Sequence, residues 1–228
     1  MNAMPTAQRT FGSGPLSRSA ALLYTLLVVE TLLVVTTAPT LVALTLLSRD
    51  ASNVPLAALA AVPVGPAISA ALAALRSPRD ITDLHPGGAF WRAYRRDAPQ
   101  VLALWVPALA VTTIIGVNLT HLDAGGVPRA FAVPLSVIGI ATVLWALNAI
   151  AITSRFAFRT RDVARLAGFF LFVTPGVTLG TAGVLLMAGV LVVETSEAVL
   201  VLAASGFAAL LLLVARPMTD RIERDFVA

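Results

Sequence analysis

Six apolar blocks alternate with polar segments along this chain, at residues 20–47, 54–75, 101–119, 130–153, 177–193 and 198–215. A hydrocarbon core about 30 Å thick is crossed by about 20 helical residues, and several of these blocks reach that length. The pattern predicts an all-α polytopic membrane bundle of six transmembrane helices. A polar tail over 1–19 precedes it and another over 216–228 follows it. The longest polar interruption, Arg76–Gln100, carries five of the sixteen basic residues, so the side it faces decides the layout of the whole chain.

Proline and small residues mark where the spans should depart from straight rods. The first block has 28 residues, more than a bilayer needs, and is expected to tilt or bend at Thr36–Thr40, where Pro39 removes a backbone donor. Pro63-Val64-Gly65-Pro66 should break or sharply kink the second. Alanines at four-residue spacing, Ala57/Ala61, Ala67/Ala71 and Ala70/Ala74, would let another helix approach it closely. Thr174-Pro175-Gly176 interrupts the fifth, so the crossing is placed at 177–193, with Leu166–Val173 a surface or half-inserted helix. Gly176 and Gly180 form a G-x-x-x-G beside Pro175, which suits a loop as well as a helix contact.

Two aromatic and basic stretches are expected at headgroup level as amphipathic surface segments. In the first, Phe90, Trp91 and Tyr94 alternate with Arg92, Arg95 and Arg96 at helical spacing; the second is Ser154–Arg165. Trp105, near the start of the third span, fits an aromatic belt.

Composition agrees with lipid as the main solvent. The chain is 58% hydrophobic and 12% charged, with mean hydropathy +0.89, against roughly 25% charged for soluble proteins. Every basic residue is Arg and the net charge is only +4. Spread over loops, that charge suits anionic lipid headgroups and not nucleic acid. Six spans with both termini cytoplasmic put fourteen of the sixteen arginines on one side and only Arg49 and Arg129 on the other, as the positive-inside rule requires. The first apolar block is too long for a signal-peptide core.

Candidate chemistry is sparse. Glu30 is the one acidic residue within an apolar span. A carboxylate at that depth must be protonated, paired or wet, so it is either a proton or cation relay or a hydrogen-bonded helix contact. Asn118 and Asn148 are expected to hydrogen-bond across helices. With no Cys, and with His85 and His121 assigned to opposite faces, no metal site is expected. No catalytic or cofactor-binding motif is present, and neither an enzyme nor a cofactor is anticipated. Trp91, Arg92, Tyr94, Arg95, Arg96, Arg159 and Arg161 are candidate headgroup or docking contacts.

Pro63-Val64-Gly65-Pro66-Ala67, then Phe90-Trp91-Arg92-Ala93-Tyr94-Arg95-Arg96, Trp105 and Asn118, together resemble the YesL family of bacterial membrane proteins (the DUF624 domain). Ser154-Arg155-Phe156-Ala157-Phe158-Arg159 and Arg216-Pro217 resemble its high-GC Gram-positive form. Where relatives often carry Asn-Leu-Leu-Trp in the first span, this chain has Glu30-Thr31-Leu32-Leu33. The resemblance implies a multi-pass protein of the bacterial cytoplasmic membrane, encoded beside sugar permeases and carbohydrate-degrading enzymes, and it supplies no catalytic residues. The expected role is a non-catalytic accessory or scaffold in carbohydrate uptake that contacts a sugar permease or a second copy of itself. The alternative is a small transporter or channel around Glu30 and the broken first and second spans.

Overall fold

The computed structural model describes residues 15–48, 50–76, 85–122, 125–126, 128–194 and 197–226, and all regular structure among them is helical. Residues 1–14 of the tail expected over 1–19, the loop residues 77–84 and Arg49 lie outside the described residues, and 15–19 already belong to a helix. The helices are α1 (Pro15–Leu46), α2 (Val54–Ala60), α3 (Val64–Arg76), α4 (Pro86–Thr120), α5 (Ala132–Thr153), α6 (Thr160–Val173), α7 (Pro175–Glu194), α8 (Glu197–Leu202) and α9 (Ala204–Phe226). Five stretches among the described residues are helical, long and apolar enough to cross a membrane: Ser19–Leu46, Val54–Arg76, Pro86–Thr120, Arg129–Thr153 and Pro175–Glu194.

The core forms around α3, whose small side chains allow close packing on several sides. Ala67, Ala70, Ala71, Leu72 and Ala74 are all essentially inaccessible, and α3 packs against α1, α4, α5 and α9. The alanine spacing in the sequence therefore marks the bundle centre. Large apolar side chains such as Leu27, Val35, Phe172, Leu179, Leu186 and Val193 point outward instead, as lipid would allow and water would not. Threonine hydroxyls within the spans donate mainly to carbonyls one turn back in their own helices, as Thr25 does to Ala21 and Thr113 to Leu109. Such a hydroxyl needs no partner from water.

The first aromatic and basic stretch is not a separate surface helix. It forms the first turns of α4, which has 35 residues and is about 52 Å long. The reason is a continuous buried stripe at Phe90, Ala93, Asp97, Val101, Leu104 and Ala108, which runs through Pro99 without a change of phase. The polar C-terminal tail is likewise helical. Residues as far as Phe226 continue α9, held by buried Met218, Thr219 and Ile222. Pro39 does not break α1, which remains helical through it.

The chain does interrupt itself elsewhere. A turn at 61–63 divides α2 from α3, Thr174 divides α6 from α7, and Ala203 divides α8 from α9. The first two are the breaks expected from proline; the third is not. Gly176 meets nothing within 4 Å, whereas a Cβ on Gly180 would lie 2.7 Å from Val214 Cγ1, so only the second glycine of that pair seats a neighbouring helix, α9.

Candidate functional site

Each break frees backbone groups that lipid cannot satisfy, and polar side chains take them up. At the α2–α3 turn, Pro63 and Pro66 lack N–H groups. The Val64 N–H turns to the Ala61 carbonyl, which leaves the Ala60 carbonyl without its helical donor. Thr40 of α1 donates to Ala60 O at 2.6 Å, and Trp105 of α4 donates its indole N–H to Ala61 O at 3.0 Å. Trp105 reaches that carbonyl because Gly65 has no side chain. A Cβ there would lie 2.6 Å and 2.7 Å from the indole Cγ and Cδ1. Trp105 thus sits at an internal helix break, nine residues and about 14 Å along α4 from Arg96.

At the α6–α7 junction, Pro175 deletes the donor for the Leu171 carbonyl. The Thr178 hydroxyl replaces it at 2.7 Å. At α8–α9 the Ser205 N–H, one of the unpartnered donors of a helix start, points to Glu30 Oε2 at 2.7 Å. A carboxylate also suits the positive end of a helix dipole. Glu30 is half-buried, and its other oxygen, Oε1, is buried with no hydrogen-bond partner among the described residues.

The two asparagines do not join helices in the expected way. Asn118 Nδ2 donates to Ile114 O of its own helix, and the buried Asn148 Nδ2 has no hydrogen-bond partner among the described residues. Glu30, Asn118 and Asn148 form no common cluster of hydrogen bonds. Among the described residues no group of three or more His, Asp or Glu is placed to hold a metal ion.

The arginines converge instead. The C-terminus of α3, the first turns of α4 and the α5–α6 link meet at one end of the bundle. There Arg76, Arg92, Arg96 and Arg155, with Ser154, surround an open cavity of about 550 Å³ whose floor is Ala73, Ala89 and Ala93. Three alanines in place of larger side chains leave the room. Arg76 fastens two of the walls, donating through its terminal nitrogens to Ser154 O at 3.0 Å and Ser154 Oγ at 3.2 Å. Its Nε is buried without a hydrogen-bond partner among the described residues. Gln100 fixes the far end of the same link by donating to Phe158 O at 2.8 Å.

The four guanidinium groups are unequally neutralised. Arg96 pairs with the buried carboxylate of Asp97 at 2.7 Å. Arg155 pairs with Glu223, lies 3.5 Å from Asp220 and donates to Thr219 Oγ1 at 3.2 Å, joining the link to α9. Among the described residues Arg76 and Arg92 meet no carboxylate. Of the residues singled out from sequence, Arg92 and Arg96 line this cavity, while Arg95, Arg159 and Arg161 are exposed outside its lining. Trp91 and Tyr94 belong to an aromatic cluster with Phe90, with Tyr94 and Phe90 stacked at 6.2 Å. Sequence reasoning singled out neither Arg76 nor Arg155, because their roles depend on contacts 78 and 68 residues away in the chain. No protein-family model, curated protein or solved structure matches this chain.

Proposed function

We propose that the protein is a six-span component of the bacterial cytoplasmic membrane, with both termini cytoplasmic, that acts as a non-catalytic accessory in carbohydrate uptake. The sixth span is α8 together with the first half of α9, interrupted at Ala203. The arginine-lined end faces the cytoplasm and, with the outward apolar helix faces, supplies the docking surface for a sugar permease. The link to sugar uptake rests on the sequence resemblance at 63–67 and 90–96.

The observation that most supports an accessory over a transporter is the use made of the polar side chains inside the bundle. Thr40, Trp105, Thr178 and Glu30 all hold backbone groups at helix breaks. A translocation path needs polar groups turned toward a passage. Affinity purification from the native membrane in mild detergent tests the reading, with a multi-span permease expected to be retained. Recovery of the protein alone would count against it.

The transporter reading keeps one specific observation in its favour, the buried and unpartnered Oε1 of Glu30. Proton-coupled flux in liposomes containing only this protein, lost in Glu30→Gln, would establish that reading instead.

A further inference from the structure

The geometry points to the arginine-lined cavity as a binding site for a single phosphate group, carried by a lipid headgroup or by a small soluble ester. Three features lead there. Four guanidinium groups surround one cavity, although like charges at close range repel and need a counter-anion. Carboxylates answer Arg96 and Arg155, but among the described residues none answers Arg76 or Arg92, and the Arg76 Nε–H is buried with its hydrogen bond unmade. Buried charges are ordinarily paired, so the half-buried Arg76, left without a carboxylate beside three other cations, calls for an anion.

The shape also suits phosphate. Planar guanidinium forks match tetrahedral oxyanions, giving short charge-assisted hydrogen bonds. Arg76 is held in place by Ser154, so its charge is positioned before any ligand arrives. The first turn of α4, at Ala89, brings the positive end of a 35-residue helix to the floor. At about 550 Å³ the space exceeds one phosphate and leaves room for the ester group attached to it. Basic recesses between membrane helices are where anionic headgroups bind.

This deepens the accessory reading by naming what the arginine-lined end holds, yet its test requires neither a permease nor a known orientation. The full-length protein is placed in phosphatidylcholine nanodiscs, and native mass spectrometry counts bound ligand. One arm titrates inorganic phosphate and glycerol phosphate; the other replaces a fraction of the lipid with phosphatidic acid. Saturable binding of one equivalent is expected in at least one arm, and the arm that responds identifies the source.

Arg92→Gln is the informative variant, because Arg92 is exposed and holds no described structural contact. It should weaken binding roughly tenfold, one charge-assisted hydrogen-bonded contact being worth about that factor. Arg95→Gln makes the same charge change on the same helix outside the cavity and should leave affinity within about twofold. Equal losses in the two variants would reduce the effect to general surface charge and overturn the proposal, as would the absence of saturable binding in both arms. Permease capture with no phosphate binding would sink this site alone, and phosphate binding without capture would sink the accessory role alone.

Discussion

Substituting Gly65 by Ala tests how the α2–α3 break is held together. The added Cβ would meet the Trp105 ring at 2.6, 2.7 and 3.0 Å, inside the limit for carbon contacts. The indole is too wide to evade this by a small rotation, since Trp105 Nε1 must stay 3.0 Å from the Ala61 carbonyl to keep its hydrogen bond. Overpacking costs about 1–3 kcal/mol, and losing the bond costs about 0.6–1.5 kcal/mol. Ala gains up to about 1 kcal/mol over Gly in a helix. The net loss should be about 1–3 kcal/mol, read as a lower midpoint in detergent or denaturant unfolding. Gly183→Ala is the control, because that helical glycine meets nothing within 4 Å and should be neutral or slightly stabilising. Trp105→Leu combined with Gly65→Ala should cost less than the sum of the single changes, because the smaller side chain removes the clash. If Gly65→Ala were as harmless as Gly183→Ala, or if the double variant were strictly additive, the account of this break would be wrong.

Other perturbations follow from the same structure. Thr40→Val keeps the shape but leaves the Ala60 carbonyl without its 2.6 Å donor; a destabilisation of about 1–3 kcal/mol is expected in the same unfolding assay. Glu30→Gln retains an acceptor for the Ser205 N–H and should be mild, whereas Glu30→Leu removes the cap from α9 and should cost about 1–2 kcal/mol, with faster amide exchange at 204–206. Arg155→Ala cuts the tie from the α5–α6 link to Thr219 and Glu223. Proteolysis at the C-terminal end of α9 should accelerate, and the wild-type protein should approach the variant as salt is raised, because Glu223 is exposed.

Much of this architecture was legible in the amino-acid pattern, for reasons that differ from element to element. Breaks at Pro63–Pro66 and at Pro175 could be read directly, since a missing N–H is a property of the residue and independent of context. Alanine spacing marked α3 as the helix others approach, because backbone proximity requires small side chains wherever the helix ends up. The continuity of α4 was also present in the sequence, in the stripe from Phe90 to Ala108, but the run of arginines before the apolar block at 101–119 drew attention to a boundary that packing overrides. At Pro39 the missing donor does not end the helix, which continues to Leu46.

The arginine cavity could not be read, because it is assembled from α3, α4 and the α5–α6 link, and no spacing along the chain encodes that meeting. The break at Ala203 was equally hidden, for a more instructive reason. It contains no proline, and the group that takes up the freed Ser205 N–H is Glu30, 175 residues earlier. Read alone, Glu30 is an expensive anomaly in an apolar span; read with Ser205, it is the partner of a backbone donor that lipid leaves unmet. The same logic joins Thr40 and Trp105 to carbonyls near Pro63. In a bundle of broken helices, each interruption therefore requires a polar side chain somewhere in the surrounding apolar surface. Such a residue should first be matched against the nearest freed backbone group, and only what remains unmatched among the described residues, here Glu30 Oε1, Ser69 Oγ, Asn148 Nδ2 and Thr181 Oγ1 within the bundle and Arg76 Nε at its basic end, is left for a ligand or a partner to explain.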